Sequence, residues 1–467
     1  MPRPPRLRAA VAAGRLTGAL SRRLGRGGGT TLPGDIARAI DPGVLTALAA
    51  QARRGTVLVS GTNGKTTTCS LVRAAARASG WRVVANPSGA NLVFGLTAAA
   101  VQASTPSGRL AADWLVFEVD ELSLPRAVAE LGPRCVTLLN VYRDQLDRAF
   151  EVDQVAERLG QALAGLPAGA VCVANGDDPV VAGLAAGARD VRFFGIDDAG
   201  IGRRELAVAA DARRCPRCAA ALDFSAVLYA HCGHYACPAC GFARPQPTWA
   251  AEAVTVEGLE SVRCTVRGEG ERTRIAVPVG GVFTVANALA AFATLRVMGV
   301  APATIAETFA ASSPAFGRGE RVELEGATIR LLLAKNPAGL DEALRAAVAG
   351  SPPALALGLN DGIADGRDVS WIWDADLEPL LAPGAPQRLV VSGTRAADLV
   401  LRLKYAGVAL ERVVVAESPA AALDACLAAG RAAGGTAVPA LLTYTAALGW
   451  YAELTRRGAV APYWTRV

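Results

Sequence analysis

Short apolar runs alternate with amphipathic stretches along most of this chain. Between residues 56 and 174, the runs are short enough for buried strands, and the stretches between them carry apolar residues at helical spacing. Strand and helix in alternation predict a parallel sheet covered by helices on both faces. The predicted strands are residues 56–60, 82–85, 114–119, 135–140 and 170–174, and the clearest predicted helices are 66–79 and 152–163.

The alternation is interrupted by a cysteine-rich segment and then begins a second time. A β-rich stretch (254–279) and a helix (285–298) follow the interruption. The second series starts near residue 322, with strands at 328–333, 354–359, 388–392 and 412–415 and helices at 340–349, 396–406 and 420–433. We therefore predict an α/β protein made of a basic N-terminal segment (1–36), a central domain with a parallel sheet (37–321) that carries the cysteine-rich insertion (213–247), and a smaller C-terminal α/β domain (322–467).

Positive charge is concentrated at the beginning of the chain. Seven arginines precede the first acid, Asp35, and without these seven the formal net charge of +6 becomes −1. The rest of the chain is therefore not a basic surface of the nucleic-acid-binding kind. Leu16, Leu20 and Leu24 form one helical stripe among the arginines, so the segment either lies on an anionic membrane surface or packs loosely on the body.

Neither a membrane span nor an export signal is apparent in the sequence. Uncharged stretches are broken by polar residues and proline before they reach the length of a transmembrane helix. The basic beginning lacks the compact apolar core and the cleavage site of a signal peptide. We therefore expect a cytoplasmic protein whose N-terminal segment is its candidate contact with the inner face of a membrane.

A glycine-rich loop follows the first predicted strand directly and leads into a helix. Glycines let backbone N–H groups approach phosphate oxygens, Lys65 supplies a compact positive charge, and the Thr66 hydroxyl can bind magnesium. Lys65 is one of only three lysines among 48 lysines and arginines, the others being Lys335 and Lys404. The loop has the form G-T-x-G-K-T, which is shorter than the standard phosphate loop. We predict that it binds ATP and Mg²⁺ through Gly61, Thr62, Asn63, Gly64, Lys65, Thr66 and Thr67.

The cysteine-rich insertion contains two C-x-x-C pairs at the spacing of a zinc ribbon. Each pair can turn two thiolates onto one Zn²⁺ ion, and four thiolates leave no open position for catalysis. A disulfide framework is not expected in a large cytoplasmic chain. His231, Cys232 and His234 lie between the pairs and are alternative ligands. The predicted zinc ligands are Cys215, Cys218, Cys237 and Cys240.

The shortened phosphate loop and several later segments, in the same order along the chain, resemble the Mur ligases. These segments are Phe117-Glu118-Val119-Asp120-Glu121, Asn140 to Arg148, Asn175-Gly176-Asp177-Asp178-Pro179, the stretch around Asn287, Gly317-Arg318 and Leu333-Ala334-Lys335-Asn336-Pro337. The resemblance implies a central ATPase domain of the Mur-ligase type. It also implies an acyl-phosphate mechanism, in which ATP phosphorylates a carboxylate and a nitrogen nucleophile then displaces the phosphate.

The same resemblance assigns roles to single residues. It places Glu118 with Thr66 at magnesium, Asn287 at the adenine and Arg318 on the phosphate side. Lys335 stands where the family has a histidine, and we expect it to face the ATP phosphate or the acyl phosphate, with a surface lysine as the alternative.

This chain departs from the family pattern at its magnesium sites. Gln145 replaces a histidine that would bind magnesium in the family. Many Mur ligases carry a carbamylated lysine that helps to hold a second magnesium, but no lysine lies between Lys65 and Lys335. A second magnesium, if this protein binds one, is therefore held differently.

A segment rich in aspartate and tryptophan, residues 359–374, follows a predicted strand of the C-terminal domain. With the ribbon, it resembles the Mur-ligase-like subunits of lipid II isoglutaminyl synthases. That resemblance implies amidation of the α-carboxylate of D-glutamate in the lipid II stem peptide, with ammonia from a GatD-type glutaminase in a heterodimer. It assigns Asp368 to the partner's catalytic triad, with Asp365 as the nearest rival. For Asp361 and Asp374 we favour a role within the turn.

The position of the histidines supports a separate glutaminase. A glutaminase needs a nucleophilic cysteine with a histidine base, and both histidines of this chain, His231 and His234, lie inside the ribbon.

Two other functions remain open from the sequence. One is a free-standing Mur-type ligase that joins an amino acid. The other is a nucleic-acid-binding ATPase that uses the ribbon and the arginine-rich segment. The near-neutral charge of the rest of the chain argues against this second function.

Overall fold

The computed structural model describes residues 5–23, 31–87, 89–143, 152–206, 210–314 and 317–461. Its strands are β1 (Gly55–Ser60), β2 (Val83–Ala85), β3 (Trp114–Glu118), β4 (Cys135–Leu138), β5 (Val171–Asn175), β6 (Val191–Ile196), β7 (Asp223–Tyr229), β8 (Cys232–Ala236), β9 (Trp249–Glu257), β10 (Ser261–Gly268), β11 (Glu271–Val277), β12 (Arg318–Leu324), β13 (Ala327–Leu333), β14 (Ala354–Gly358), β15 (Arg388–Ser392), β16 (Val413–Val415) and β17 (Val438–Leu442). Its helices are α1 (Pro5–Arg23), α2 (Leu32–Ile40), α3 (Val44–Ala49), α4 (Lys65–Ala78), α5 (Val93–Ala103), α6 (Leu124–Leu131), α7 (Val152–Ala164), α8 (Pro179–Ala185), α9 (Val282–Met298), α10 (Pro302–Ala310), α11 (Pro337–Ala349), α12 (Ala396–Tyr405), α13 (Pro419–Ala432) and α14 (Tyr444–Arg456).

The first domain is built on a sheet in the order β11-β10-β9-β6-β5-β4-β1-β3-β2. The strands from β9 to β2 are parallel, whereas β10 pairs antiparallel with both β9 and β11. The predicted parallel α/β fold is therefore confirmed, and the five strands predicted between residues 56 and 174 appear within two residues of their expected bounds.

Helices cover both faces of this sheet around β1, β3 and β4, which explains why these central strands are mostly apolar on both faces. Along β1, Val57 and Val59 pack into one core with α4, α9 and α10, while Leu58 packs into a second core on the opposite face. A strand buried on both faces has no reason to alternate polar and apolar residues. Helix α9 is itself buried almost all round, because it lies between the sheet and the helices beside it.

The second domain has a six-stranded sheet in the order β12-β13-β17-β14-β15-β16, parallel except for β12. Because β12 begins at Arg318, residue 321, where we placed the boundary, lies within a strand of this sheet. The sequence pattern did not predict β17, which occupies a central position although it contains Pro439. Proline usually indicates an edge strand. Here Pro439 pairs with Arg330 on the β13 side, and pairing with β14 begins only at Ala440.

Helix α1 packs on the first domain through one face. Leu7, Ala10 and Val11 are buried against α2, α3 and α5, whereas Leu16 and Leu20 remain 62% and 49% exposed. Leu24, the third residue of the predicted stripe, lies outside the described residues. In the described part of the chain, no helix is both long and apolar enough to cross a membrane.

Candidate active site between the two sheets

Loops at the carboxyl ends of β1, β4 and β13 meet at one cavity between the two domains. Asn140 and Asn287 line it from the first domain, and Lys335 lines it from the second, with Arg318 at the start of β12. Loops at this end of parallel strands are where open α/β sheets bind ligands. Folding thus brings together residues that the sequence analysis selected from segments as far apart as Asn63 and Lys335, which also line the cavity and are separated by 272 positions.

A glycine and an asparagine hold the phosphate loop in shape. Gly64 has a left-handed backbone with φ of 92°, and a Cβ there would lie 2.1 Å from Oδ1 of Asn287. The side chain of Asn140 accepts a hydrogen bond from the Asn63 N–H at 2.8 Å and donates one to the Asn63 carbonyl at 3.0 Å. Helix α4 begins at Lys65, so the N–H groups of its first turn face the loop, an arrangement that favours anions.

Lys65 and Thr66 of the loop are each hydrogen-bonded to a glutamate of one acidic segment. Lys65 is buried, and its ammonium donates to the Gly61 carbonyl at 2.5 Å and to the Glu121 carboxylate at 3.1 Å. The Thr66 hydroxyl donates to Glu118 at 2.9 Å, so the two residues predicted at magnesium are in direct contact. Glu121 was not among the predicted site residues. The sequence signal for Glu121 was its position in the same acidic segment as Glu118.

Two further cations share the electrostatic field of this acidic segment. Burial lowers the pKa of Arg318, and the charge of Glu118 opposes that shift. Burial raises the pKa of Asp120, and the charges of Lys65 and Lys335 oppose that rise. Three positive charges, those of Arg318, Lys65 and Lys335, therefore interact with carboxylates of this one segment, and clustered cations suit a polyphosphate.

Polar contacts close the cavity between the domains. Asn63 of the phosphate loop and Asn336 exchange two side-chain hydrogen bonds of 3.2 Å, and Asn336 also caps α11 through the Gly339 N–H at 2.8 Å. Arg143 reaches Asp374 of the second domain at 3.1 Å. Asp374 therefore bridges the domains, which differs from the role within the turn that we favoured. Gln145 lies outside the described residues.

The four cysteines of the insertion form one cluster. Their sulfur atoms all lie within 4.8 Å of one another, and two pairs, Cys215 with Cys240 and Cys218 with Cys237, are 3.5 Å apart. Four sulfurs bound tetrahedrally to one ion at about 2.3 Å would lie about 3.8 Å apart, so the cluster can hold a metal ion. His234 is not part of it, since its Nε2 lies 2.7 Å from the Ile196 carbonyl.

His231 and Cys232 lie at the other end of the hairpin, in a buried group with Asp178. Oδ1 of Asp178 accepts hydrogen bonds from two backbone N–H groups at the start of α8. Oδ2 accepts a hydrogen bond from the Val141 N–H at 2.9 Å and lies 3.2 Å from Nε2 of His231. The Cys232 sulfur lies 3.2 Å from the Tyr142 hydroxyl. Both oxygens of the carboxylate therefore take part in the hydrogen bonds that hold this group together.

The structure separates Asp365 from Asp368. Asp365 is 3% exposed and accepts the Thr445 N–H at 2.7 Å and the Gly362 N–H at 3.2 Å, so it ties the segment to α14. Asp368 is half-buried, and it accepts a hydrogen bond from the Ser370 N–H at 2.8 Å. Hydrogen bonds from the Ser370 backbone and hydroxyl hold the pKa of Asp368 below its ordinary value. Asp368 is therefore a partly exposed carboxylate whose ionised form is favoured.

Asp361 has side-chain partners outside its own segment, in the loop between β15 and α12, which differs from the role within the turn that we favoured. It accepts from the Thr394 hydroxyl at 2.8 Å and pairs with Arg395 at 3.4 Å. The two tryptophans of the segment differ, because Trp371 is buried and Trp373 is 46% exposed. Packing beneath the turn therefore accounts for one tryptophan only.

Family models and known sequences match both domains. A model described as the MurT ligase C-terminal domain matches residues 333–447, and one described as the Mur ligase middle domain matches residues 59–215. The lipid II isoglutaminyl synthase subunit MurT of Staphylococcus aureus strain N315 is 35% identical over 395 residues, covering 84% of this chain and 86% of the relative. The MurT subunit of Streptococcus pneumoniae strain R6 is 32% identical over 403 residues, covering 86% and 87%.

Solved structures share the fold at lower identity. A pseudomurein peptide ligase type C from Methanothermus fervidus superposes with a TM-score of 0.65 at 20% identity, covering 87% of this chain and 79% of the ligase. The MurF ligase of Thermotoga maritima, solved with ADP, superposes with a TM-score of 0.62 at 12% identity, covering 91% and 85%. These similarities show that the architecture is that of the Mur ligases.

Proposed function

This chain belongs to the MurT family, and we propose that it is the ATP-dependent ligase subunit of a lipid II isoglutaminyl synthase. In this role it amidates the α-carboxylate of D-glutamate in the lipid II stem peptide, giving D-isoglutamine for peptidoglycan synthesis. The observation that carries the proposal is the cavity where Arg318 and Lys335 open onto the phosphate loop, next to the contact between Thr66 and Glu118.

The reaction needs two bond exchanges at one carboxyl group. A carboxylate oxygen attacks the γ-phosphorus of ATP and releases ADP, and ammonia then attacks the acyl carbon and releases phosphate. Lys65 and the N–H groups of its loop hold the phosphates, and Arg318 and Lys335 neutralise charge as the phosphoryl group moves. Thr66 and Glu118 would hold Mg²⁺, which neutralises phosphate charge when bound.

The decisive experiment supplies the purified chain with ATP and lipid II and varies the nitrogen source. We expect ADP and amidated lipid II with ammonium, no amidation with glutamine alone, and amidation with glutamine when a GatD-type glutaminase is added. A free-standing amino-acid ligase would instead join an amino acid without a partner and leave lipid II unamidated with ammonium.

An exposed apolar surface near Asp368 supports a partner subunit. Tyr405 and Leu401 of α12 are 72% and 45% exposed, and Trp373 packs edge-on against Tyr405 with ring centroids 5.7 Å apart. Ile363, in the same segment as Asp368, is 72% exposed. Exposed aromatic clusters of this kind mark protein interfaces. We assign this surface to the glutaminase, and Tyr405→Asp should prevent the two subunits from co-purifying.

We also propose a cytoplasmic protein that touches the membrane through α1. Leu16 and Leu20 are exposed on α1, and Arg8 and Arg23 are exposed at the two ends of the same helix. Each arginine near an anionic surface contributes about 1 kcal/mol. The chain should therefore sediment with phosphatidylglycerol vesicles but not with phosphatidylcholine vesicles, and high salt or Leu16→Asp should release it. Equal sedimentation with both vesicles would contradict this.

For the cysteine cluster we propose Zn²⁺, so metal analysis should find about one zinc per chain. Cys215→Ser and Cys240→Ser should each lose the metal and lower the melting temperature, because a structural zinc contributes directly to the folding free energy. Cys232→Ser is the matched control, since it removes a buried ribbon thiol outside the cluster, and it should keep the zinc. An empty site in Cys232→Ser would show that the ligand set is wrong.

A further inference from the structure

The ribbon hairpin reaches from the cysteine cluster to the nucleotide cavity. Strand β8 runs from Cys232 to Ala236, and Cys237 of the cluster follows directly, so about 17 Å separate the cluster from the turn at residues 229–232. Tyr229 and Ala230, which begin this turn, line the same cavity as Asn287 and Lys335. One end of the hairpin therefore carries the candidate metal ligands, and the other end forms part of the cavity wall.

One tyrosine joins this turn to the phosphate loop. The ring of Tyr142 packs edge-on against His231 at a centroid distance of 4.9 Å, and its hydroxyl lies 3.2 Å from the Cys232 sulfur. The backbone N–H of Tyr142 donates to the Thr62 hydroxyl at 3.0 Å. The buried contact of Asp178 with His231 also holds the turn, and the same carboxylate oxygen accepts the N–H of Val141, the residue before Tyr142. A displaced turn would therefore also displace Thr62.

The same turn contacts the second domain. The Ala230 N–H donates to Glu342 of α11 at 3.0 Å, and Glu342, which also lines the cavity, lies 3.7 Å from Arg203. Ala230 has a left-handed backbone with φ of 44°, which a non-glycine residue rarely adopts. A strained residue is retained only where its surroundings hold it, and such residues concentrate at ligand sites.

We infer that the turn at residues 229–232 is a wall of the nucleotide pocket, and that the metal-loaded ribbon sets nucleotide affinity by holding Tyr229 and Ala230 there. The inference rests on the proposed ATP-dependent function and adds a role for the ribbon to it. Tyr229 is 3% exposed and accepts a hydrogen bond from the Asn175 side chain at 2.9 Å, so its ring has little freedom to move. Ala230 and Tyr229 are positioning residues of the pocket and take no part in the bond changes.

Filling the pocket from the turn tests the inference. Ala230→Leu adds bulk at the wall, and the dissociation constant of Mg-ATP, measured by titration calorimetry, should rise at least tenfold at full zinc content. Ala253→Leu is the matched control, because Ala253 is also an alanine with a left-handed backbone, at φ of 49°, but it is exposed and does not line the cavity. Its Mg-ATP affinity should equal that of the wild type.

Two further measurements complete the test. Zinc removal by a chelator should weaken Mg-ATP binding of the wild type at least tenfold, and restored zinc should recover it. If Ala230→Leu does not fold, Glu342→Ala replaces it, because loss of the acceptor for the Ala230 N–H should also weaken binding. The inference would be overturned if a folded, zinc-loaded Ala230→Leu bound Mg-ATP as tightly as the wild type. If Glu342→Ala is used instead, wild-type affinity for Mg-ATP in that variant would overturn it. Failure of the wild type itself to bind Mg-ATP would instead overturn the proposed function.

Discussion

Lys65→Ala should abolish amidation of lipid II with ammonium and with glutamine alike. Lys65 is the one lysine in the phosphate loop, and its ammonium already lies among the Gly61 carbonyl and the Glu121 carboxylate at the start of α4. Loss of one charge that stabilises a transition state costs about 10²–10³-fold in rate, and more where phosphate charge accumulates. We therefore expect kcat to fall by at least about 10³-fold in an assay of ADP release coupled to amidation.

The three lysines of the chain provide their own controls. Lys404→Ala removes an exposed lysine of α12 that does not line the cavity, and it should leave the ammonium reaction unchanged. Lys335→Ala should slow both reactions, because Lys335 lines the cavity from the second domain. Wild-type kinetics in Lys335→Ala would place that side chain outside the chemistry, and wild-type turnover in a folded Lys65→Ala would remove the ATP assignment of the loop.

Asp368→Asn should abolish glutamine-dependent amidation and leave the ammonium reaction intact. The carboxylate of Asp368 is partly exposed, and the Ser370 hydrogen bonds favour its ionised form. If it orients a histidine of the partner, its charge fixes the tautomer and stabilises the imidazolium during attack on glutamine. Asparagine keeps the shape and removes the charge. We expect glutamine-dependent kcat to fall about 10³–10⁴-fold, measured beside the ammonium reaction of the same complex.

Two neighbouring aspartates separate this role from damage to the segment. Asp361→Asn changes a carboxylate of the same loop that already has Thr394 and Arg395 as partners, and it should leave both nitrogen sources equally effective. Asp365→Asn weakens the hydrogen bonds to α14 and should reduce both activities together with the melting temperature. Loss of the ammonium reaction in Asp368→Asn would place Asp368 in the ligase site or in the fold, and the shared triad would be wrong.

The sequence pattern predicted most of the secondary structure because each strand and helix is encoded locally. Strands β1, β3 and β4 are mostly apolar on both faces, as is typical of strands covered on both sides, and α4 begins within the phosphate loop at Lys65. Strand β17 was not predicted, because Pro439 argues against a central strand. Its position depends on pairing with β13 and β14, which lie about 80 to 110 residues earlier.

Local spacing likewise determined the chemistry that was visible in the sequence. The form of the phosphate loop indicated a nucleotide, and two C-x-x-C pairs at the spacing of a ribbon indicated one metal site. In both cases the groups that act together lie close in sequence, or in two short segments of one hairpin, so their residue types and spacing are sufficient. The geometry of the cysteine cluster agrees with that prediction.

Only the tertiary structure decided which distant residues meet. Glu121 pairs with Lys65 across 56 positions, Asp365 is committed to Thr445 across 80 positions, and Ala230 contacts Glu342 across 112 positions. Such contacts arise when separate elements pack, and each partner alone has no pattern that reveals the other. By itself, therefore, the sequence determined the fold class, the phosphate loop and the ribbon. Packing decided that Asp365 is buried against α14 while Asp368 stays partly exposed, and that the ribbon turn lines the candidate nucleotide cavity.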